Sequence, residues 1–402
     1  MIIRARVVIT MDGPSFENGA VAVSEDRIID VGRFSEISKG HSGKELVDLG
    51  EQALLPGLIN AHCHLDFTCL RGKIARQSSF TNWIRAINTE KARLSPGDYV
   101  CSINQGFAEA RRFGTTTIAN LTGVPELVSQ IEAPLRTWWF AELIDVRDPR
   151  GVNEIVNLAV GQLKSQEHWG LAPHAPFTAS ADLYRRCEEI AQREDVLLTT
   201  HLAESSEEMS MFQACNGLLY HFLSEFGRDV GDCGGGTPVE QFVGRLGEAS
   251  LLDWILVHVN EISENDLQAL EKLVIKSHLV HCPRSHAYFG HSPFRFQKLR
   301  ELGFNVCLGT DSLASNDDLS LFAEMRAFQK EFPEVSPEEI LKMVTVNPAR
   351  TLRQENSIGK IRRGFLADLI AMPTMRSAAV FEEILGFDNP VAWSMIDGRI
   401  LA

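Results

Sequence analysis

The sequence predicts an α/β fold: a (β/α)8 barrel of the TIM type, joined to a small β-sandwich built from both chain ends. Three observations predict it. Short apolar runs alternate with helical stretches through the middle of the 402-residue chain, the pattern of repeated βα units. Eight such runs occur, and eight βα units close naturally into a barrel. Both ends carry instead short alternating segments broken by turn residues.

Taken in order, Ala5 to Thr10, Gly19 to Val23 and Arg27 to Val31 read as strands, punctuated by Asp12-Gly13, Glu25-Asp26 and Gly32. The stretch from Ile2 to about Leu55 is too short to form a stable sandwich alone. The other end supplies the rest: Ala367 to Met372 and Ala392 to Ile396 read as strands, and Asp397-Gly398 is a hairpin signal. Residues 1–55 and 355–402 are therefore expected to share a composite sandwich, with the barrel at 56–354. The barrel strands are expected to end near Ala61, Asn120, Leu143, Pro173, Thr200, Val257, Val280 and Leu308. Loops that follow strands build the chemical face of such a barrel. The longer gaps follow the first and fifth strands, so insertions at roughly 65–100 and 205–250 would cover the site. The second contains Gly231-Asp232-Cys233-Gly234-Gly235-Gly236, which reads either as a lid hinge or as a mobile surface loop.

Composition sets the outer bounds. Hydrophobic residues make up 44% and charged residues 23%, the range of globular chains, and the length suits one large domain with a minor one. The apolar run from Met1 to Met11 is cut by Arg4 and Arg6 and lacks the features of a signal peptide. No stretch approaches the roughly 20 apolar residues of a membrane span. A cytoplasmic location without membrane contact is the expectation. The net charge of −14 argues against nucleic acid, whose phosphates need a basic surface, and leaves a small-molecule substrate. The eight cysteines show no C-x-x-C pair and read as buried, reduced thiols. The apolar barrel exterior is compatible with a homodimer and does not require one.

The strongest local signal is the run Leu58-Ile59-Asn60-Ala61-His62-Cys63-His64. Strand side chains alternate, so His62 and His64 point the same way and can grip one metal. Alone, an H-x-H pair is weak evidence. Its company strengthens it: His201 ends the fifth apolar run, His258 the sixth and Asp311 the eighth. All converge on the barrel mouth, a coincidence that independent core histidines would not produce. Three imidazoles and a carboxylate suit zinc or ferrous iron with a position open to water. Such a metal lowers the pKa of its water and supplies hydroxide near neutral pH. Glu204, three residues past His201, is placed as a proton shuttle, or else is an acid of the helix N-terminus that follows.

With these residues in place, the sequence resembles the amidohydrolase superfamily, in its deaminase and chlorohydrolase branch. The resemblance rests on "LLPGLINAHCHL", "HLAE" at 201–204, "LVHV" around His258, "GTDS" at 309–312 and "GKIRRGFLADLIAM" at 359–372, and it covers essentially the whole chain. It implies that His62, His64, His201 and Asp311 bind one divalent metal, zinc or alternatively iron. It implies that Asp311 takes a proton from the attacking water, that Glu204 protonates the ring nitrogen beside the reacting carbon, and that His258 polarises the hydroxide. Two-metal relatives use a Lys on the fourth strand; Trp169 to His174 contains none, so one metal is expected. His174 contacts substrate in similar deaminases, or caps a turn before Pro176. Trp83 is a candidate for stacking on a heterocycle, or belongs to an ordinary helix core. Arg284, with Arg71 and Arg76 as alternatives, is a candidate for an anionic part of the substrate, and Ser312 is counted with the substrate contacts. His281 reads as a buried support residue rather than a ligand. Two positions depart from the common branch pattern: His286 stands where many relatives have Asn, and Val259 follows the sixth-strand His where many have Cys or Gly.

The segments "HLDF", "FTNWI" and "TDSLASN" look most like aminodeoxyfutalosine deaminases of the alternative menaquinone pathway. The resemblance thus implies hydrolysis of the 6-amino group of an aminopurine nucleoside, giving futalosine and ammonia. "TCLRG" at 68–72 resembles methylthioadenosine and S-adenosylhomocysteine deaminases, the alternative substrate class. A triazine chlorohydrolase or aminohydrolase would use the same site with a different pocket.

Overall fold

The computed structural model describes residues 1–146, 149–246, 252–271, 278–375 and 377–401. Its larger part is a parallel sheet of eight strands: β1 (Leu58–Cys63), β2 (Thr115–Thr122), β3 (Arg136–Leu143), β4 (Trp169–Pro173), β5 (Leu197–Leu202), β6 (Trp254–His258), β7 (His278–His281) and β8 (Asn305–Leu308). They pair in chain order. Parallel strands covered on both faces read as continuous apolar runs, which is why the sequence located them. Ile59, Ala119, Phe140, Val257, Val280 and Cys307 pack inside the barrel. Leu58, Ile118, Leu171, Leu256 and Leu279 pack outward in the layer shared with the helices.

The barrel closes between its first and last strands. The amides of Thr310 and Asp311 donate to the His62 carbonyl at 3.0 and 3.2 Å, and the Gly309 amide donates to the His281 carbonyl at 3.0 Å. Asn60 staples the same seam: its Nδ2 donates to Thr310 Oγ1 at 2.8 Å, and its Oδ1 accepts from the Thr310 amide at 3.2 Å. A Cβ at position 309 would lie 2.7 Å from the His62 carbonyl oxygen, so the approach requires glycine.

Both chain ends enter a second, separate eight-stranded sheet. They meet where Leu369–Pro373 runs antiparallel to Gln52–Pro56, around a core that includes Ile3, Val21, Leu54, Leu369 and Met395. The first strand is Ile2–Val8, earlier than the expected Ala5 to Thr10. Leu46–Asp48, Gln52–Pro56 and Arg399–Leu401 are short strands that were not expected; three to five residues are too few for alternation to show. Asp397-Gly398 forms the expected hairpin turn, with φ of 48° and 71°. Both values are positive, as a type I′ turn demands.

The first insertion carries the helix Phe80–Lys91, whose N-cap Ser79 accepts from the Asn82 amide at 3.1 Å. The second carries helices Ser206–Ala214, Leu218–Glu225 and Pro238–Arg245; residues 247–250 of that expected insertion lie outside the described residues. Glu207 ties the two together. It accepts from the amides of Phe80 and Thr81, at 2.8 and 3.2 Å, and from the Thr81 hydroxyl, a carboxylate at a helix N-terminus. In the glycine-rich segment at 231–236, Asp232 is anchored to residues on either side. Asp232 is clamped by Arg228 at 2.7 and 2.8 Å and by Arg245 at 2.7 Å. Arg245 in turn donates to the carbonyls of Pro176 and Ala179.

All eight cysteines are unpaired. Cys63, Cys187, Cys282 and Cys307 are buried as expected, whereas Cys101 and Cys215 face solvent. Among the described residues no helix is long and apolar enough to cross a membrane.

Candidate metal centre and active-site cleft

The barrel mouth gathers His62, His64 and His201, whose ligand nitrogens lie within 4.8 Å of one another. His62 belongs to β1 and His64 follows its end; their rings stand edge to face, with centroids 4.9 Å apart. Pairing of β1 with β2 slips between Asn60 and Cys63, so Ala61 still packs inside the barrel while His62 turns into the mouth. His201 lies in β5, and its Nδ1 donates to the His174 carbonyl at 3.0 Å. A carbonyl only accepts, so the His201 Nε2 lone pair is free, and it faces His64 Nε2 at 3.3 Å. Asp311 follows β8. Its Oδ1 lies 3.8 Å from His62 Nε2 and 3.9 Å from His64 Nε2.

These residues fit a divalent metal. His62 is wholly buried, yet neither ring nitrogen has a hydrogen-bond partner. Leaving such a group unsatisfied costs roughly 1–3 kcal/mol, and a cation among the rings would satisfy it. Burial drives His64 down to about 4 and His201 well below the ordinary imidazole range, so both offer the neutral form that binds metal. Burial alone would raise Asp311. The adjacent imidazoles of His62, His258 and His64 outweigh burial and hold it well below the usual range. The second oxygen, Oδ2, accepts from Ser285 Oγ at 2.6 Å, which fixes the carboxylate's direction.

Two further groups stand beside this set. His258 ends β6, buried, with its Nε2 3.6 Å from a Glu204 carboxylate oxygen. Burial first, and then the Asp311 carboxylate, push Glu204 well above the usual carboxylate range. A carboxyl in that environment keeps its proton near neutral pH and can donate it. Glu204 is held by its backbone: its amide donates to Glu208 at 2.8 Å, and its carbonyl accepts from Asn260 Nδ2 at 3.1 Å. The backbone around the site is locally strained. Ala203, His258, Val259 and Asp311 have φ of 49°, 74°, 53° and 55°, a left-handed conformation that costs of order 1–3 kcal/mol per non-glycine residue and collects at functional sites.

A cleft of about 630 Å³ opens onto these groups, within the size range of small-molecule sites. His174, Trp83 and Ser312 line it. His174 Nδ1 pairs with Thr178 Oγ1 at 2.6 Å, which leaves Nε2 toward the cleft. Trp83 stacks on Phe80 and anchors its Nε1 on the Ala314 carbonyl at 3.4 Å. Arg284 is the correction. It does not line the cleft, because its guanidinium is held by Asp318 at 2.6 Å and Asp317 at 3.3 Å. Arg71 pairs with Glu109, and Arg76 lines a neighbouring pocket. His286 bonds the Ser292 carbonyl at 2.9 Å, outside the cleft. His281 is buried, stacked on Phe294 at 3.9 Å, and is not part of the His62, His64 and His201 group.

Sequence reasoning missed Glu142 and Lys91. Glu142 sits in β3, 3.8 Å from His64 Nδ1 and 4.0 Å from His174 Nε2. Burial opposes its charge, but His174, His64 and Lys91 outweigh burial and hold it below the ordinary range. The available signal was an acid at the end of the apolar run "RTWWFAEL". Lys91 ends the insertion helix, and nothing in its local pattern separates it from a solvated lysine.

Comparison with known proteins agrees with this geometry. The amidohydrolase family model matches residues 53–401. A 5-methylthioadenosine/S-adenosylhomocysteine deaminase of Syntrophobacter fumaroxidans is 31% identical over 388 residues, covering 91% of this chain and 83% of its own length. The crystal structure of Helicobacter pylori aminofutalosine deaminase with methylthio-coformycin superposes with a TM-score of 0.90 at 22% identity, covering 100% of both chains. A zinc-bound adenosine deaminase of Xanthomonas campestris superposes with a TM-score of 0.80 at 22% identity, covering 99% of this chain and 92% of its own. Matched along nearly its whole length, the chain belongs to the amidohydrolase family.

Proposed function

We propose that the chain is a metal-dependent deaminase that hydrolyses the 6-amino group of an adenosine-like nucleoside. One observation carries this reading: a buried Glu204 carboxyl stands 3.6 Å from His258 at the edge of a metal-binding set. Amidine hydrolysis needs a proton at the ring nitrogen and hydroxide at the adjacent carbon, and these two features supply both.

His62, His64, His201 and Asp311 would hold the metal, and we assign zinc. When bound, it supplies hydroxide near neutral pH by lowering the pKa of water. Asp311, charged and aimed by Ser285, accepts the proton released from the attacking water. Glu204 gives its proton to the ring nitrogen beside the reacting carbon. His258, neutral at a pKa of about 3 through burial, orients the attacking oxygen. The carbon becomes tetrahedral, and its bond to the amino group then breaks. The amino group leaves as ammonia with the proton held by Asp311. The hydroxyl returns a proton to Glu204, and the carbon becomes the carbonyl of a lactam in the intact ring. His174 and Glu142 face the ribose side, and Trp83 and Ser312 complete the pocket. The substrate is a small molecule.

At the finer level we assign aminodeoxyfutalosine as the nucleoside, which would place the reaction in menaquinone synthesis. The long cleft and the whole-length likeness to the Helicobacter protein support it. Methylthioadenosine or S-adenosylhomocysteine is the second reading, favoured by the identity to the Syntrophobacter enzyme. Ammonia release from each of these, with adenosine, guanine, cytosine and an aminotriazine alongside, decides between them. Release from aminodeoxyfutalosine above all others is the expected result. Preference for the thioethers moves the substrate and keeps the mechanism. Silence across the whole panel by metal-loaded protein refutes the deaminase reading.

A further inference from the structure

Resting on that reading, we propose that Lys91 determines specificity by binding a carboxylate at the far end of the nucleoside's 5′ substituent. Among the described residues, Lys91 is the only lysine or arginine that lines the cleft. Its Nζ lies 4.6 Å from the centroid of Phe67. The Phe67 ring in turn stacks on His64, at 5.8 Å and 20°. The cation therefore stands one aromatic ring away from the metal-binding set.

Lys91 acts on the buried acids Glu142 and Asp66 through space but forms no ion pair among the described residues. Its helix neighbours are paired, Arg85 with Glu225 and Arg93 with Glu90, but Lys91 has no carboxylate partner within 4.0 Å among the described residues. The acids of the cleft have other partners. Glu142 faces His64 and His174. Asp145 accepts from the Ser180 amide at 2.8 Å and its hydroxyl at 2.5 Å. Glu204 and Asp311 belong to the chemistry. Ile87, Ile144, Ile155, Phe222 and Phe226 line the same cleft with apolar surface. A lone cation in such a cleft selects a ligand that is apolar along its length and anionic at its tip, since a charged pair away from bulk water is stronger than one in water. An aryl carboxylate has that form. A neutral thioether does not. Arg284 and Arg71 are committed to Asp318 and Glu109, and Arg76 lines the neighbouring pocket rather than this cleft.

The test uses the metal-loaded full chain and two probes: a 6-aminopurine nucleoside with a 5′ substituent ending in benzoate, and its methyl ester. Binding of each is measured by calorimetry, and ammonia release is followed in parallel. The wild type should bind the acid about tenfold or more tightly than the ester, the range of one charge-assisted hydrogen bond. Lys91→Met should bring that ratio close to one, and Lys91→Arg should restore most of it. Melting and metal content of each variant establish that it is folded and loaded. A ratio that persists in Lys91→Met overturns the proposal. So does a wild type without preference, or a variant that weakens both probes equally. Ammonia release from the ester by wild type reports the deaminase reading separately. Release without acid preference keeps that reading and removes Lys91; acid preference without release does the reverse.

Discussion

His62 has no hydrogen-bond partner at either ring nitrogen, in a protein where most buried polar atoms are satisfied. Its neighbours explain this: His64, His201 and Asp311 surround it at distances a shared cation would bridge. Beside them, burial first and then the Asp311 carboxylate push the Glu204 carboxyl well above the usual carboxylate range. Glu204→Gln keeps the shape and removes the transferable proton, so kcat should fall by roughly 10²–10⁴-fold while metal content stays unchanged. Wild-type turnover in that variant would remove Glu204 from the chemistry. The clustering of His62, His64, His201 and Asp311 was legible in sequence because these residues sit where strands end, and strand ends can be read from apolar runs. Substrate contacts were less legible. Arg284 stood just past a strand but turned to Asp317 and Asp318, neighbours that only the fold supplies. Glu142 and Lys91 needed the fold to be seen at all.

Strands were the most legible elements, and every barrel strand ended within two residues of its expected position. Helix caps and cross-links were not legible: the Glu207 bridge between the two insertions depends on their approach in space. The β7–β8 pair shows a similar hidden tie. His278 Nδ1 accepts from Asn305 Nδ2 at 2.9 Å and lies 3.2 Å from Thr351 Oγ1. Burial holds its pKa down to about 4, against about 6.5 in an unfolded chain. Between these values the unfolded chain binds the extra proton, so stability is full above about pH 6.5 and falls as pH drops through about 4. The loss at the acid end is up to about 3 kcal/mol. His278→Asn keeps an acceptor but cannot titrate. Its urea midpoint should therefore lose less than wild type's between pH 7 and pH 4.5. Parallel losses in both proteins would show that His278 does not contribute.

At the scale of the molecule, closure of the barrel and assembly of the site are one event. The His62 carbonyl accepts the amides that join β8 to β1, while the His62 ring faces the metal-binding set. Gly309→Ala would place a methyl 2.7 Å from that carbonyl and 3.0 Å from the His62 side chain, an overpacking worth about 1–3 kcal/mol. We expect a lower melting temperature together with weaker metal retention. Lower stability with full metal affinity would separate the seam from the site. The composite end sheet was visible in outline from turn dipeptides such as Asp397-Gly398, but its continuity was not. Pairing of Gln52–Pro56 with Leu369–Pro373 joins segments more than 300 residues apart, and no local pattern encodes such a partner.

The central claim is that this site deaminates a 6-aminopurine nucleoside through a single bound divalent metal. The most direct test strips the protein with a chelator, titrates zinc back, and follows ammonia release from the best nucleoside of the panel against metal content per chain. Release that is lost on stripping and returns in proportion, saturating at one metal per chain, is the expected result. Release that survives complete stripping, or that never appears at one metal per chain, would contradict it.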